Sequence, residues 1–324
     1  MPVSSHLALS RLQIPLLLFL FFACDVPFTP KGEFRNFVAV YGILSDRTDT
    51  LFVRLYNTYN PEGLDPLQQT LDEPVLGAVV RISDGMTTTT LSETTVTRLD
   101  TTRFTGPISL YKAHPLPIRR AATYSLTIEM TDGRSSHAVQ TTPDRGVVEI
   151  TNPGIIANPT IGANILIRAV LSSPARGYRV RFFMEFEVLE GAQWISYLRE
   201  IPRQVERLNT PLEAWHYHEL TRRTFDGGQS QEVISFFNDA YRRGLSAIRT
   251  EFSGFQIRWV KAVFILAQVD LHLYNYYNVA NAFRDPYSTR IDRPDYTNIE
   301  GGVGVFGSMM HDSAFFTFPP NTVF

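Results

Sequence analysis

Cysteine is almost absent from this chain: Cys24 is the only one in 324 residues. A single thiol excludes an internal disulfide, a cysteine-based zinc site and any Cys-x-x-Cys redox motif. Lysine is nearly as scarce, confined to Lys31, Lys112 and Lys261 among 30 basic residues. The rest are arginine, a bias that reads as genomic composition rather than as phosphate recognition. A formal charge of −2 leaves no surplus of positive charge for nucleic acid or an anionic membrane surface. No G-x-S-x-G occurs, so the nucleophile elbow of α/β-hydrolases is excluded. No apolar run reaches the roughly 20 residues that span a bilayer as a helix.

What the chain does have is a short greasy segment just ahead of that lone cysteine. Arg11 supplies a sparse positive start, Ile14 to Phe22 (IPLLLFLFF) an apolar core, and Ala23 the small residue before a cleavage point. Residues 1–23 therefore read as a lipoprotein signal peptide, although Phe21 and Phe22 are bulkier than the residues usual at those two positions. Cleavage would leave Cys24 as a lipid anchor carrying acyl chains on its sulfur and amine, with the membrane as its first partner. Residues 24–33, with Pro27, Pro30 and Gly32, read as a tether between lipid and fold.

Beyond the tether the composition is globular, with 44% apolar and 19% charged residues, and the 23 Phe and 14 Tyr can fill a core without disulfides. Period-two alternation predicts strands over residues 37–43, 51–56, 78–82, 87–91, 124–130 and 135–141, the last two joined as a hairpin through Asp132-Gly133. This spacing predicts an immunoglobulin-like or transthyretin-like β-sandwich over residues 34–145. Pro and Gly between 143 and 162 mark a boundary, and residues 146–324 read as a second β-rich domain with one or two helices. Strands are predicted over 165–171, 178–188, 261–268 and 302–307, with Arg179 and Arg181 alternating against Val180 and Phe182. Ser230 and Gly244 bracket a predicted helix near 230–243, and Asp270 caps another near 270–284.

In this order the segments resemble a known family of lipoproteins from Bacteroidota, those with the domain of unknown function DUF4249. Val38 to Tyr56 (VAVYGILSDRTDTLFVRLY) is similar to the family's opening, Val75 to Asp84 (VLGAVVRISD) to its "P-V-x-G-A-x-V-x-I-x-D" segment, and Tyr124 to Thr142 to its hairpin. Asn298 to Gly307 (NIEGGVGVFG) resembles its closing motif, and residues 193–249 depart most from the pattern. The resemblance implies an outer-membrane lipoprotein of the cell envelope, with genes beside those for SusC-type TonB-dependent transporters. It also implies an accessory binding or scaffolding role, and no catalytic residues to carry over.

The chemical motifs are weaker. Gly302, Gly304 and Gly307 spell G-x-G-x-x-G, but too little chain follows for the helix and acidic residue that a dinucleotide requires, so the glycines read as close strand packing. Ser109 and Lys112 spell S-x-x-K without the K-T-G element that accompanies it in serine acyl-enzymes. His216 and His218 would share one face of an extended strand and aim at one metal ion if His272 or His311 supplied a third ligand. Asp292, Asp295 and Glu300 read as a solvated acidic turn rather than a calcium loop. Trp194, Tyr197, Trp215, Tyr217, Trp259, Tyr274, Tyr276, Tyr277, Phe283 and Tyr287 crowd the C-terminal half. The reading is of a non-catalytic protein with no cofactor and no metal. The alternative is an envelope hydrolase or metal-dependent enzyme acting on glycans or peptides through His216 and His218.

Overall fold

Alternation of buried and exposed positions builds the N-terminal half, as the sequence predicts. A computed structural model describes residues 33–60, 70–102, 104–209, 212–281, 296–320 and 322–324. Strands β1 (Val38–Ser45) and β2 (Leu51–Asn57) bury Val38, Val40, Leu44, Leu51, Val53 and Leu55. Strands β3 (Val79–Ser83), β4 (Thr88–Val96), β5 (Ile108–Ala113), β6 (Thr123–Glu129) and β7 (Ser135–Thr141) complete this half. The β6–β7 turn falls at Asp132-Gly133, where Gly133 adopts φ +87°. Thr88 to Leu91 pair with β3 whereas Ser92 to Val96 pair with β5. The sheet thus folds over along β4, and Val80, Ile82, Leu126 and Ile128 meet the residues of β1 and β2 in one apolar cluster.

The C-terminal half has β8 (Val147–Ile150), a short helix α1 (Pro153–Ala157), β9 (Ile165–Leu171), β10 (Gly177–Glu190), β11 (Gln193–Ile201), β12 (Gln204–Asn209) and β13 (Leu212–His216). It continues through β14 (Thr221–Arg222), β15 (Ser230–Phe236), helix α2 (Asn238–Glu251), β16 (Ile257–Val269), helix α3 (Leu271–Asn281) and β17 (Gly302–Thr317). Phe182 of β10 stacks on Phe264 of β16 at 4.3 Å and meets Phe236 of β15 edge-on at 5.6 Å. Each such fully buried ring stabilises the fold by about 1.5–3 kcal/mol, and Tyr241 of α2 joins them with its hydroxyl donating to the Ile156 carbonyl. The protein is mainly β, as expected, in a 12-stranded mixed sheet ordered β11-β10-β16-β17-β1-β2-β5-β4-β3-β6-β7 with β14 beside β10. A three-stranded sheet β15-β9-β8 and the β12-β13 hairpin stand apart from it.

Buried apolar residues gather in two main clusters, one drawn from strands up to Ala138, the other from Val148 onward, but Ile299 and Phe306 belong to the first. The crossing is made by β17, which runs parallel to β1 from Gly302 to Met309 and antiparallel to β16 from Met309 to Thr317.

One predicted element is corrected. Residues 230–243 are not one helix: Ser230–Phe236 is a strand paired with β9, and the helix runs from Asn238 to Glu251. Two polar side chains on the buried face, Ser230 and Glu232, hide the alternation from sequence. Glu232 is satisfied there by Thr224 N at 2.8 Å, Thr224 Oγ1 at 2.9 Å and Ser230 Oγ at 2.5 Å. Gly244 does not end the helix but lets it approach β11, since a Cβ there would lie 2.7 Å from Ile201 Cδ1. Asp270 does cap α3, whose described span is Leu271–Asn281; Phe283, Tyr287, Asp292 and Asp295 lie outside the described residues. Strands β5, β8 and β11 to β14 were not anticipated.

The three glycines of the G-x-G-x-x-G motif begin a strand that runs unbroken to Thr317. Gly304 has φ +113°, and a Cβ on it would sit 2.1 Å from the Val40 carbonyl oxygen. Gly304→Ala is expected to destabilise the protein by about 3 kcal/mol or more, because it combines a forbidden backbone with a steric clash. Gly85→Ala, at φ +83° with nothing within 4 Å, should cost only the backbone strain, about 1–2 kcal/mol. Urea denaturation of the two variants side by side tests the assignment, and equal losses would refute it.

Candidate functional site

The alternation that buries Val180 and Phe182 turns Arg179 and Arg181 to the opposite face of the large sheet. There Arg179 lies in register with Ala267 and, through it, with His311, while Arg181 lies beside Ile265. This row, with Val269 and Met309, floors a cleft of about 1270 Å³. One wall is the segment from Trp215 to Thr221, another is α3 with Tyr274, Tyr277 and Asn278; Arg203 and Gln204 enter at the start of β12, and Arg47 from the β1–β2 turn. A smaller hollow of about 450 Å³ lies near Asp84 and Arg119, but those charges pair at 2.7 Å and no aromatic ring lines it.

Hydrogen bonds fix the walls to the floor. Arg179 Nε donates to the His218 carbonyl at 2.8 Å, and Val180 N donates to His218 Nδ1 at 3.3 Å. Arg203 N donates to the His216 carbonyl at 2.7 Å, and Arg203 Nε to the Ser235 carbonyl at 3.1 Å. On the other side, Asp270 Oδ1 accepts from the backbone of His272 and Leu273 at 2.5 and 3.0 Å, capping α3, while Oδ2 accepts from Ser308 N and from Ser308 Oγ. Burial pushes the Asp270 carboxyl upward against these bonds. Tyr277 and Tyr41 share a hydroxyl–hydroxyl bond of 2.8 Å across β1. Gly177 leaves room for the Tyr274 ring, which a Cβ would meet at 2.4 Å.

Arginines outnumber carboxylates in the described lining of the cleft. Arg181 pairs with Glu200 through both carboxylate oxygens, at 2.9 and 2.5 Å, and Arg179 reaches the same carboxylate at 4.0 Å. Among the described residues, Glu219 is the sole acidic residue of the lining. At one end, a paired network closes the floor: Arg120 donates to Asp46 at 2.7 Å and Asp312 at 2.9 Å, and His311 Nδ1 lies 3.0 Å from Asp46. Burial opposes ionisation of Asp46, yet the bonds from His311 and Arg120 prevail and hold its carboxyl below the usual range.

The two histidines singled out in the sequence do not converge. The strand ends at His216, whose Nε2 lies 3.3 Å from Glu206 Oε2 beside the cleft, whereas His218 turns inward, is buried, and packs on Tyr178 at 5.6 Å. His272 bonds the Tyr296 hydroxyl and His311 bonds Asp46. Among the described residues no three His, Cys, Asp or Glu side chains gather as a metal ion requires. Ser109 and Lys112 stand three positions apart on β5 and so face opposite sides of the sheet. Glu300 forms backbone bonds with His137. Of the aromatic residues, Trp259 is core; Trp215, Tyr217, Tyr274 and Tyr277 reach the cleft. Arg47, Arg179, Arg181 and Arg203 were not anticipated as a group. The alternation of Arg179 and Arg181 was the visible signal, but the partners come from distant turns. Cys24 lies outside the described residues.

Burial first, then the neighbouring Arg203 and Arg179, push the His218 imidazole down to about 4. An unfolded histidine titrates near 6.5, so between pH 6.5 and 4 the unfolded chain binds a proton that the folded chain refuses. Stability therefore falls on acidification through this window, by up to about 3 kcal/mol. Asp46 acts lower: with its folded pKa depressed, its contribution is complete above the carboxylate range and is lost only as pH drops through that depressed value. Urea midpoints should decline from pH 7 to pH 4.5, and the decline should shrink in His218→Gln; an identical decline in the variant would refute this assignment.

Comparison with the curated proteins gives no match. Comparison with known families matches residues 25–314 to the family described as Domain of unknown function (DUF4249). That span includes both apolar clusters save Phe318 and its C-terminal neighbours, together with all of the cleft, and the chain belongs to the DUF4249 family.

Proposed function

We propose that this protein is a non-catalytic binding or scaffolding lipoprotein of the bacterial outer membrane, held by acyl chains on Cys24 and working beside a SusC-type TonB-dependent transporter, as the resemblance to Bacteroidota lipoproteins suggests. The observation that carries the binding reading is the open cleft of about 1270 Å³ on the free face of the large sheet, larger than the roughly 300–1,000 Å³ of ordinary small-molecule sites. The apolar segment ending at Ala23 and the lone cysteine after it support the anchor. Acyl chains contribute about 0.8 kcal/mol per buried CH₂, and confinement to the membrane raises the local concentration of the domain near a membrane partner, so their direct contact need not be strong.

Labelled palmitate fed to the native host should enter the wild-type protein and not Cys24→Ser, and the variant should leave the membrane fraction. Affinity purification from native membranes should bring down a β-barrel transporter. A Cys24→Ser protein that fractionates unchanged would overturn the anchor, and a wild-type preparation free of any transporter would overturn the partnership.

A further inference from the structure

Four arginines converge on one cleft of a chain whose formal charge is −2. Glu200 neutralises one charge of the Arg179–Arg181 pair and Glu219 adds one carboxylate to the lining, so among the described residues arginines outnumber carboxylates there at neutral pH. Two of the guanidiniums retain donors: Arg203 uses Nε alone on a carbonyl, and the exposed Arg47 side chain has no partner among the described residues. Burial first, and then Arg203 and Arg179, depress the pKa of His218 inside the wall. Guanidinium forks match carboxylate and sulfate oxygens two at a time.

Rings flank the charges. Trp215 and Tyr217 are more than a third exposed, at 37% and 38%, and with Tyr274 and Tyr277 they line the cleft around the apolar strip of Ile265, Ala267 and Met309. Half-exposed aromatic faces with hydroxyl or indole donors are suited to stacking on a ring that also needs hydrogen bonds. Gln204 and Asn278 add neutral polar groups to the lining. Charge alone would serve an acidic peptide equally well; the flat rings beside the charges favour a ligand made of ring units.

We infer that the cleft binds an acidic oligosaccharide, its carboxylate or sulfate groups held by Arg47, Arg179 and Arg203 and its sugar rings laid on Trp215 and the neighbouring tyrosines. This deepens the binding half of the proposed function and rests on it, but not on the lipid anchor or the transporter. The volume of the cleft admits several ring units, and more than one of the lining arginines can meet an acid group of such a ligand.

The test is calorimetric titration of the full-length protein, extracted from membranes in detergent, with pentagalacturonate, a sulfated chondroitin tetrasaccharide, maltopentaose and penta-glutamate at 50 and 500 mM NaCl. At least one acidic saccharide should bind, at least tenfold more tightly than maltopentaose, and weaken at high salt; the two arms separate carboxylate from sulfate. Arg47→Gln combined with Arg203→Gln should weaken it at least tenfold and Trp215→Ala several-fold, whereas Arg242→Gln on the exposed side of α2 should change it less than twofold. Urea midpoints matching wild type establish that the variants are folded. Equal binding of maltopentaose would overturn the anionic assignment and leave a binding cleft. Penta-glutamate binding as tightly as the saccharides would overturn the role of the rings. Absence of binding to all four probes would overturn the inference outright, while palmitate labelling and transporter copurification decide the broader reading separately.

Discussion

The parallel contact between β1 and β17 is the constraint on which the remaining architecture depends. Eight residue pairs, from Val38 with Gly302 to Ser45 with Met309, fasten the final strand to the first, and the same final strand then turns its other edge to β16. Without this dual pairing the N-terminal strands and the C-terminal strands would be separate sheets. Gly302 and Gly304 permit the approach, because a Cβ at either would enter the carbonyl oxygens of β1. Phe306, Val305 and Met310 are then delivered into buried positions on alternate faces of the seam.

The cleft is a by-product of that seam. Its floor belongs to β10, β16 and β17, and its α3 wall follows β16 directly and returns through Ser308 of β17, so one carboxylate, Asp270, both starts the helix and clamps the helix to the strand beneath it. The Asp46–Arg120–Asp312 network lies where the β1–β2 turn, the segment before β6 and β17 meet, with Gly146 N also bonded to Asp312 at 2.8 Å. Paired charges of this kind, half-screened by protein, hold geometry more than they add net stability. The arginines of the floor are held separately, Arg181 by Glu200 and Arg179 by the His218 carbonyl.

Much of the fold was legible because burial and strand period coincide. Residues 135–141 and 165–171 have the predicted limits, and Ile257–Val269 is the buried central strand that its apolar run implied. The failures share a cause: buried and exposed positions did not match apolar and polar residues. Gln193–Ile201 is exposed on both faces along most of its length, so it shows no alternation, and Ser230–Phe236 buries a glutamate that imitated a helical pattern. The site was less legible. The tryptophan and tyrosines could be marked as unusual from sequence, whereas the convergence of Arg47 with Arg179 and Arg203 depends on sheet register and on turns far apart in the chain. An arginine bias read as compositional thus conceals a local concentration that only tertiary structure makes visible.

Threading order follows from the strand that closes the sheet. As the polypeptide emerges, β1 has one neighbour, β2, and its other edge stays open until residues 302–309 arrive at the far end of the chain. Such distant pairing is slow, and an open apolar edge invites association with other chains in the interval. A truncation that removes β17 therefore unpairs both halves at once rather than trimming one of them.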